Sequence, residues 1–84
     1  MTSYKLNPVN SHKSFYGKAT VIIDKGCIYL RSYETIVCMI DVDGLFHKLW
    51  SGYSATTMRH INSFRIANGL CKISKANWDN LVEG

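Results

Sequence analysis

The sequence is short of the parts from which most catalytic and cofactor sites are built. It has no Gly-rich phosphate loop, nucleophile elbow or zinc-ligand spacing. Its three cysteines, Cys27, Cys38 and Cys71, are an odd number, and none falls in a CxxC or other metal pattern. Each sits in or beside apolar residues, so each is expected to be a buried, reduced small hydrophobe, which favours a reducing compartment. No apolar run is long enough to span a bilayer. The N-terminus lacks the apolar segment of a signal peptide. A soluble protein of the cytoplasm, with no membrane partner, is the expectation. Carboxylates are scarce: six Asp and Glu against ten Lys and Arg give a net charge of +4. That balance is compatible with a polyanionic partner without demanding one.

What is present is enough for one small folded unit. In 84 residues, 46% hydrophobic and 19% charged content separates the chain from disordered ones. A domain of this length buries only roughly two-thirds of its unfolded surface. Its core is modest, which leaves room for a partner or a homo-oligomer to add stability. Residues 1–14 are polar and aperiodic and are expected to form an N-terminal arm, which Tyr4, Leu6 and Val9 can dock onto the body. Residues 15–84 are expected to form a single α+β domain.

The hydropathy pattern predicts strands over residues 18–24, 27–31, 34–41 and 45–50. Lys25-Gly26 is a two-residue turn signal. Asp43-Gly44 is the strongest hairpin signal in the chain and suits a type I′ turn. The run Ile36-Val37-Cys38-Met39-Ile40 is apolar on both faces and predicts a covered, central strand. Ser54 suits the N-cap of a helix, with Tyr53 and Met58 at the spacing of a hydrophobic staple. Met58, Ile61 and Phe64 form its buried stripe, Thr56, Arg59 and Ser63 its opposite side, and His60 its flank. Asn68-Gly69 closes it. Residues 70–73 fit either a linker or a small edge strand. Ser74 caps a second helix over 75–82, with Trp78, Leu81 and Val82 as its apolar face. The fold class is α+β: an antiparallel four-stranded β-meander followed by a helix and a short C-terminal helix, packed on one face.

No catalytic set, cofactor or metal is indicated. His60 has no second ligand at helical spacing, and His12 and His47 are remote in sequence. A flank histidine bonded to a carbonyl is its expected role. Asp41 and Asp43 could pair around a cation, but turn chemistry already accounts for Asp43. The start of the first helix is the strongest candidate for binding. Its free amides and positive dipole end favour anions, Ser54 and Thr56 add hydroxyls, and Arg59 adds a guanidinium about one turn on. The competing and weightier explanation is that these hydroxyls only cap the helix. Aromatics are the other candidate. Tyr29, Arg31 and Tyr33 interleave, and Tyr53 precedes the cap. Such residues stack on nucleic-acid bases or form protein–protein hot spots. Trp50, Phe64 and Trp78 are assigned to the core.

Two stretches carry a family resemblance. One is Ser32-Tyr33-Glu34-Thr35-Ile36-Val37. The other is Trp50-Ser51-Gly52-Tyr53-Ser54-Ala55-Thr56-Thr57-Met58-Arg59-His60-Ile61-Asn62-Ser63-Phe64, and Ser74-Lys75-Ala76-Asn77-Trp78 adds a closing motif. From about Phe15 onward the chain resembles small proteins of bacteriophages and their bacterial hosts that share a domain of unknown function. The resemblance brings no catalytic residues. It implies a non-enzymatic accessory protein in the cytoplasm of a bacterial host cell, one that binds and modulates a host protein, a defence component included. A nucleic-acid or nucleotide binding module is the alternative.

Overall fold

The computed structural model describes residues 2–6, 17–52 and 54–81. Expectations for Val9, His12, Tyr53 and Val82 lie outside the described residues. Among the described residues five strands run in chain order across one antiparallel sheet: β1 (Thr2–Lys5), β2 (Ala19–Asp24), β3 (Cys27–Ser32), β4 (Thr35–Ile40) and β5 (Phe46–Lys48). Two helices follow, α1 (Ala55–Ala67) and α2 (Lys75–Asn80). The class is α+β and the meander is as expected, but it has a fifth strand. β1 comes from the segment expected to be an arm. It pairs antiparallel with β2, Tyr4 opposite Val21, while all four of its residues stay exposed. An edge strand held by backbone hydrogen bonds needs no apolar face, so its sequence carries little signal.

Alternation divides the sheet. Val21, Leu30, Cys38 and Ile40 point to the helices, where they form one buried cluster with Met58, Ile61, Phe64 and Trp78. Fully burying a side chain such as Leu30 or Ile61 contributes about 1.5–3 kcal/mol. The register slips between Leu30 and Arg31, so that Val37 has no direct partner. Val37 and Cys38 are consequently both buried. That bulge explains why the strand is apolar at consecutive positions. Thr20, Ile22, Tyr29, Arg31, Ile36 and Met39 take the far face.

The turns differ in kind. Lys25 (φ 53°) and Gly26 (φ 82°) are both left-handed, as a type I′ turn requires. At Asp43-Gly44 only the glycine is left-handed, so the expected type I′ turn does not form there. The Gly44 N–H donates to the Asp41 carbonyl at 2.9 Å, and the Asp41 N–H to the Leu45 carbonyl at 2.9 Å. The loop is therefore three residues long, a type I turn with a glycine bulge. Asp41 sets it, because its Oδ1 accepts the N–H of Asp43 at 2.9 Å and of Leu45 at 3.0 Å.

α1 begins as expected, with Ser54 Oγ accepting the Thr57 N–H at 3.3 Å. It ends in a Schellman motif. Gly69 (φ 82°) donates to the Ile66 carbonyl at 3.0 Å and Leu70 to the Arg65 carbonyl at 2.8 Å. Residues 70–73 are a linker, not a strand. The Asn62 side chain brackets Ile73, accepting its N–H at 2.7 Å and donating to its carbonyl at 3.3 Å. Ser74 caps α2, accepting the Asn77 N–H at 3.2 Å. At the other end of α2, Lys48 Nζ donates to the Trp78 carbonyl at 2.9 Å and the Leu81 carbonyl at 3.4 Å. This lysine is buried, and the helix C-terminus is where a cation is favoured. Trp78 Nε1 donates to the Gly52 carbonyl at 3.2 Å. Gly52 must lack a side chain, since a Cβ there would lie 2.5 Å from the Trp50 ring. Cys71 is exposed and Cys27 half-buried, so only Cys38 meets the expectation of a buried thiol. Among the described residues no helix is long and apolar enough to cross a membrane.

Candidate functional site

Ser32 ends β3 with its side chain on the helix-covered face, buried. Its Oγ lies 3.0 Å from Thr57 Oγ1 and 2.7 Å from His60 Nδ1. The first turns of α1 are thereby tied to the end of β3. His60 is not at the helix flank and its Nδ1 partner is not a carbonyl: it is fully buried against a hydroxyl. Ser63, expected on the outer side of the helix, is buried too. Both shifts have one cause. The buried set of α1 runs through Thr57, Met58, His60, Ile61, Ser63 and Phe64, a face wider than the apolar stripe alone indicates. Burial lowers the pKa of His60, and the charge of Arg59 lowers it further.

A hydroxyl 2.7 Å from an imidazole has the spacing of a nucleophile and its base. Here the hydroxyl is shared with Thr57 and shut away from solvent. The cluster is a buried bracket between strand and helix.

Tyr33 follows immediately. It has φ 57°, in the left-handed region, and is 49% exposed. For a bulky residue that backbone costs about 1–2 kcal/mol. Its N–H donates to the Lys18 carbonyl at 2.7 Å. Its ring meets the His60 ring at a centroid distance of 5.8 Å and a tilt of 41°. Backbone and ring are thus both held, the ring from inside by the histidine that Ser32 anchors.

Outside this bracket lies a half-open cleft of about 540 Å³, lined among the described residues by Gly17, Lys18, Arg31, Tyr33, Glu34 and Thr35. Small-molecule sites are typically ~300–1,000 Å³. Arg31 reaches it from the far face of the sheet. Its Nε is buried and makes no hydrogen bond among the described residues. Leaving such a donor unmet costs about 1–3 kcal/mol. Lys5 stands in the same cross-strand row, with Thr20 between it and Arg31, and its Nζ donates to Thr20 Oγ1 at 3.2 Å.

Of the residues singled out from the sequence, Arg31 and Tyr33 share this cleft. Tyr29 lies two positions back on the same face, half-buried, opposite Ile22 and Met39. Ser54 is occupied as a cap, Thr56 is half-buried and Arg59 is exposed. None of these three is among the cleft's lining residues. Tyr53 lies outside the described residues. The two candidate regions therefore meet through the interior, at Ser32, Thr57 and His60. Sequence reasoning gave no place in a site to Gly17, Glu34 or Thr35. Their signal was the tight turn after Ser32, which carries Glu34 and Thr35 to the rim beside Tyr33.

A second titratable pair sits at the opposite end of the sheet. His47 Nε2 lies 2.6 Å from Asp41 Oδ2. The His47 hydrogen bond, then the backbone bond from Leu45, hold the Asp41 carboxyl below its usual pKa. Asp41 is committed to its turn and to His47, not to a cation. Among the described residues no group of three or more His, Cys, Asp or Glu is placed to hold a metal ion.

No curated protein and no solved structure matches the chain. A family model matches it across residues 4–80, covering all five strands and both helices apart from the outermost positions of β1. The chain belongs to this family, a family of unknown function (DUF8033).

Proposed function

We propose that this protein is a small, non-enzymatic phage accessory protein that binds and modulates a host protein in the bacterial cytoplasm. The target class is a component of host defence, which would make it an anti-CRISPR-like inhibitor. The observation that carries this reading is Tyr33. An exposed aromatic is held in an unfavourable backbone conformation and braced by a buried histidine. Tyrosine and arginine are the residues that most often anchor protein–protein contacts, and Arg31 stands beside it. A rigid anchor loses little freedom on binding. The resemblance to phage proteins supplies the context.

Affinity capture from host lysate tests this, comparing the wild type with Tyr33→Asn. Asparagine tolerates the left-handed region, so the turn persists and only the ring is lost. A partner retained by the wild type and lost by the variant is expected. Equal capture by both proteins, or no partner together with unchanged phage growth on deletion of the gene, overturns it.

The second reading is a nucleic-acid or nucleotide binding module. The specific observation favouring it is the pairing of Lys18 and Arg31 with an aromatic in one cleft. Ser54, Thr56 and Arg59 at the start of α1 would be a further contact. Phosphate contacts make binding fall steeply with salt. Loss of affinity on Arg59→Ala and between low and high salt is the expected result; salt-independent binding, or none, removes this reading.

A further inference from the structure

We propose that the cleft between Lys18 and Tyr33 seats one nucleotide unit, a phosphate carried with a planar, amino-bearing base. This rests on the second reading above and gives it a place distinct from the helix start. The phosphate end is set by cations. Lys18 and Arg31 line the cleft, and neither makes an ion pair among the described residues. Arg31, one of the lining residues, has its Nε buried and without a hydrogen bond among the described residues. A guanidinium prepared in this way suits a phosphate oxygen, because its donors are fixed in a plane and its charge shortens the bond. Lys5 extends the positive row: a Cβ on Gly17 would lie 4.0 Å from Lys5 Cε, so the glycine at the cleft wall adjoins the lysine stem.

The base end is set by Tyr33 and Glu34. The Tyr33 ring, in contact with the buried His60 ring, offers a stacking surface. Glu34 is the single carboxylate of the lining among the described residues. A carboxylate accepts hydrogen bonds only. It therefore favours the exocyclic amino group of cytosine or adenine over the carbonyl edge of uracil, and it disfavours an acidic peptide in the same space. The cleft is of the size that holds one such unit, not a longer stretch of strand. The unit can come from a free nucleotide or from the end or a splayed base of a single strand.

Amide-resolved NMR titration of the full chain separates these outcomes. The probes are cytidine monophosphate, uridine monophosphate, inorganic phosphate and a short oligocytidine. Cytidine monophosphate is expected to shift Gly17, Lys18, Arg31, Tyr33 and Glu34 and to bind more tightly than inorganic phosphate. Arg31→Gln should weaken it about tenfold, as for the loss of one charge-assisted bond. Glu34→Gln should narrow the preference for cytidine over uridine monophosphate. Glu34 is exposed and Arg31 half-buried, and the spectra of both variants report directly whether the fold is kept. Tighter binding of the oligocytidine identifies a strand as the source; equal affinity identifies the free nucleotide. Shifts confined to Ser54–Arg59 overturn the cleft while leaving the nucleic-acid reading standing. No shifts with any probe at millimolar concentration overturn both. Equal affinity for inorganic phosphate and cytidine monophosphate reduces the site to a simple anion hole and overturns the base assignment.

Discussion

β3 has a tight turn at each end, and the two turns solve the same problem in opposite ways. Before β3, the left-handed positions belong to Lys25 at φ 53° and Gly26 at φ 82°, and only the glycine takes its place without strain. After it, the left-handed position belongs to Tyr33. Each end also carries a histidine pair. His47 meets Asp41 at the partly exposed end, and His60 meets Ser32 in the interior at the other. At the Lys25-Gly26 end a flexible, exposed lysine shares a type I′ turn with a glycine. The Tyr33 end accepts strain and offsets it with a buried hydrogen-bonded bracket. Strain held in place by its surroundings marks where a fold is committed to presenting something, and here that is an aromatic ring beside an arginine whose buried Nε has no hydrogen bond among the described residues.

The widest gap between the two ends should open on removing His60. His60→Ala leaves a cavity and deprives Ser32 Oγ of its 2.7 Å partner. We expect a loss of about 3 kcal/mol by denaturant unfolding. His47→Ala, at the partly exposed pair, should give the smallest change of the set. Comparable losses from both would erase the distinction.

Acid should separate the ends by pH. The folded pKa of His60 lies below its ordinary 6.5. The unfolded state therefore takes up a proton first, and stability contributed by the neutral ring declines as pH falls below about 6.5 toward the folded value. Asp41 is lowered from 3.8, so its contribution is intact above that value and is lost only in stronger acid. Denaturant midpoints measured from pH 7.5 to 3 should show the first decline in the wild type. His60→Gln should flatten it, and His47→Ala should leave it in place.

Gly26→Ala should be costlier than its size implies. The residue is at φ 82°, and a Cβ there would lie 2.8 Å from Val42 Cγ1. A loss of about 1–2 kcal/mol is expected from the backbone alone. The mirror experiment is Tyr33→Gly. Relief of the left-handed strain opposes loss of the ring contact, so stability should move by about 1 kcal/mol or less, while any activity that depends on the ring disappears. A large destabilisation there would mean that the ring serves the fold rather than a partner.

Much of the architecture was legible because it rests on local chemistry. Ser54, Ser74 and Gly69 cap their helices as such residues do, β-branched runs mark β2 and β4, and alternation after the Lys25-Gly26 turn marks β3. β1 was not legible, since its four exposed residues contribute backbone bonds and no buried face. His60 and Ser63 look like surface residues by type, and only the position of β3 against α1 puts them inside. Asp43-Gly44 had the right residues for one turn, but the carboxylate of Asp41 selects another. Of the six described lining residues of the candidate site, two, Arg31 and Tyr33, were visible. Glu34 and Thr35 depend on the turn after Ser32, and Gly17 and Lys18 on the backbone bond from Tyr33 to Lys18 that brings them alongside.

Lys48 bears on the order in which the molecule is assembled. α2 has six residues, too few to persist alone in water. The ammonium that closes its carbonyl end belongs to β5, and the carbonyl that receives its tryptophan belongs to Gly52. Neither is in position until the meander and the connection to α1 exist. The C-terminal helix is therefore expected to be the last element to lock during folding and the first to detach, a latch on a sheet that must already be standing.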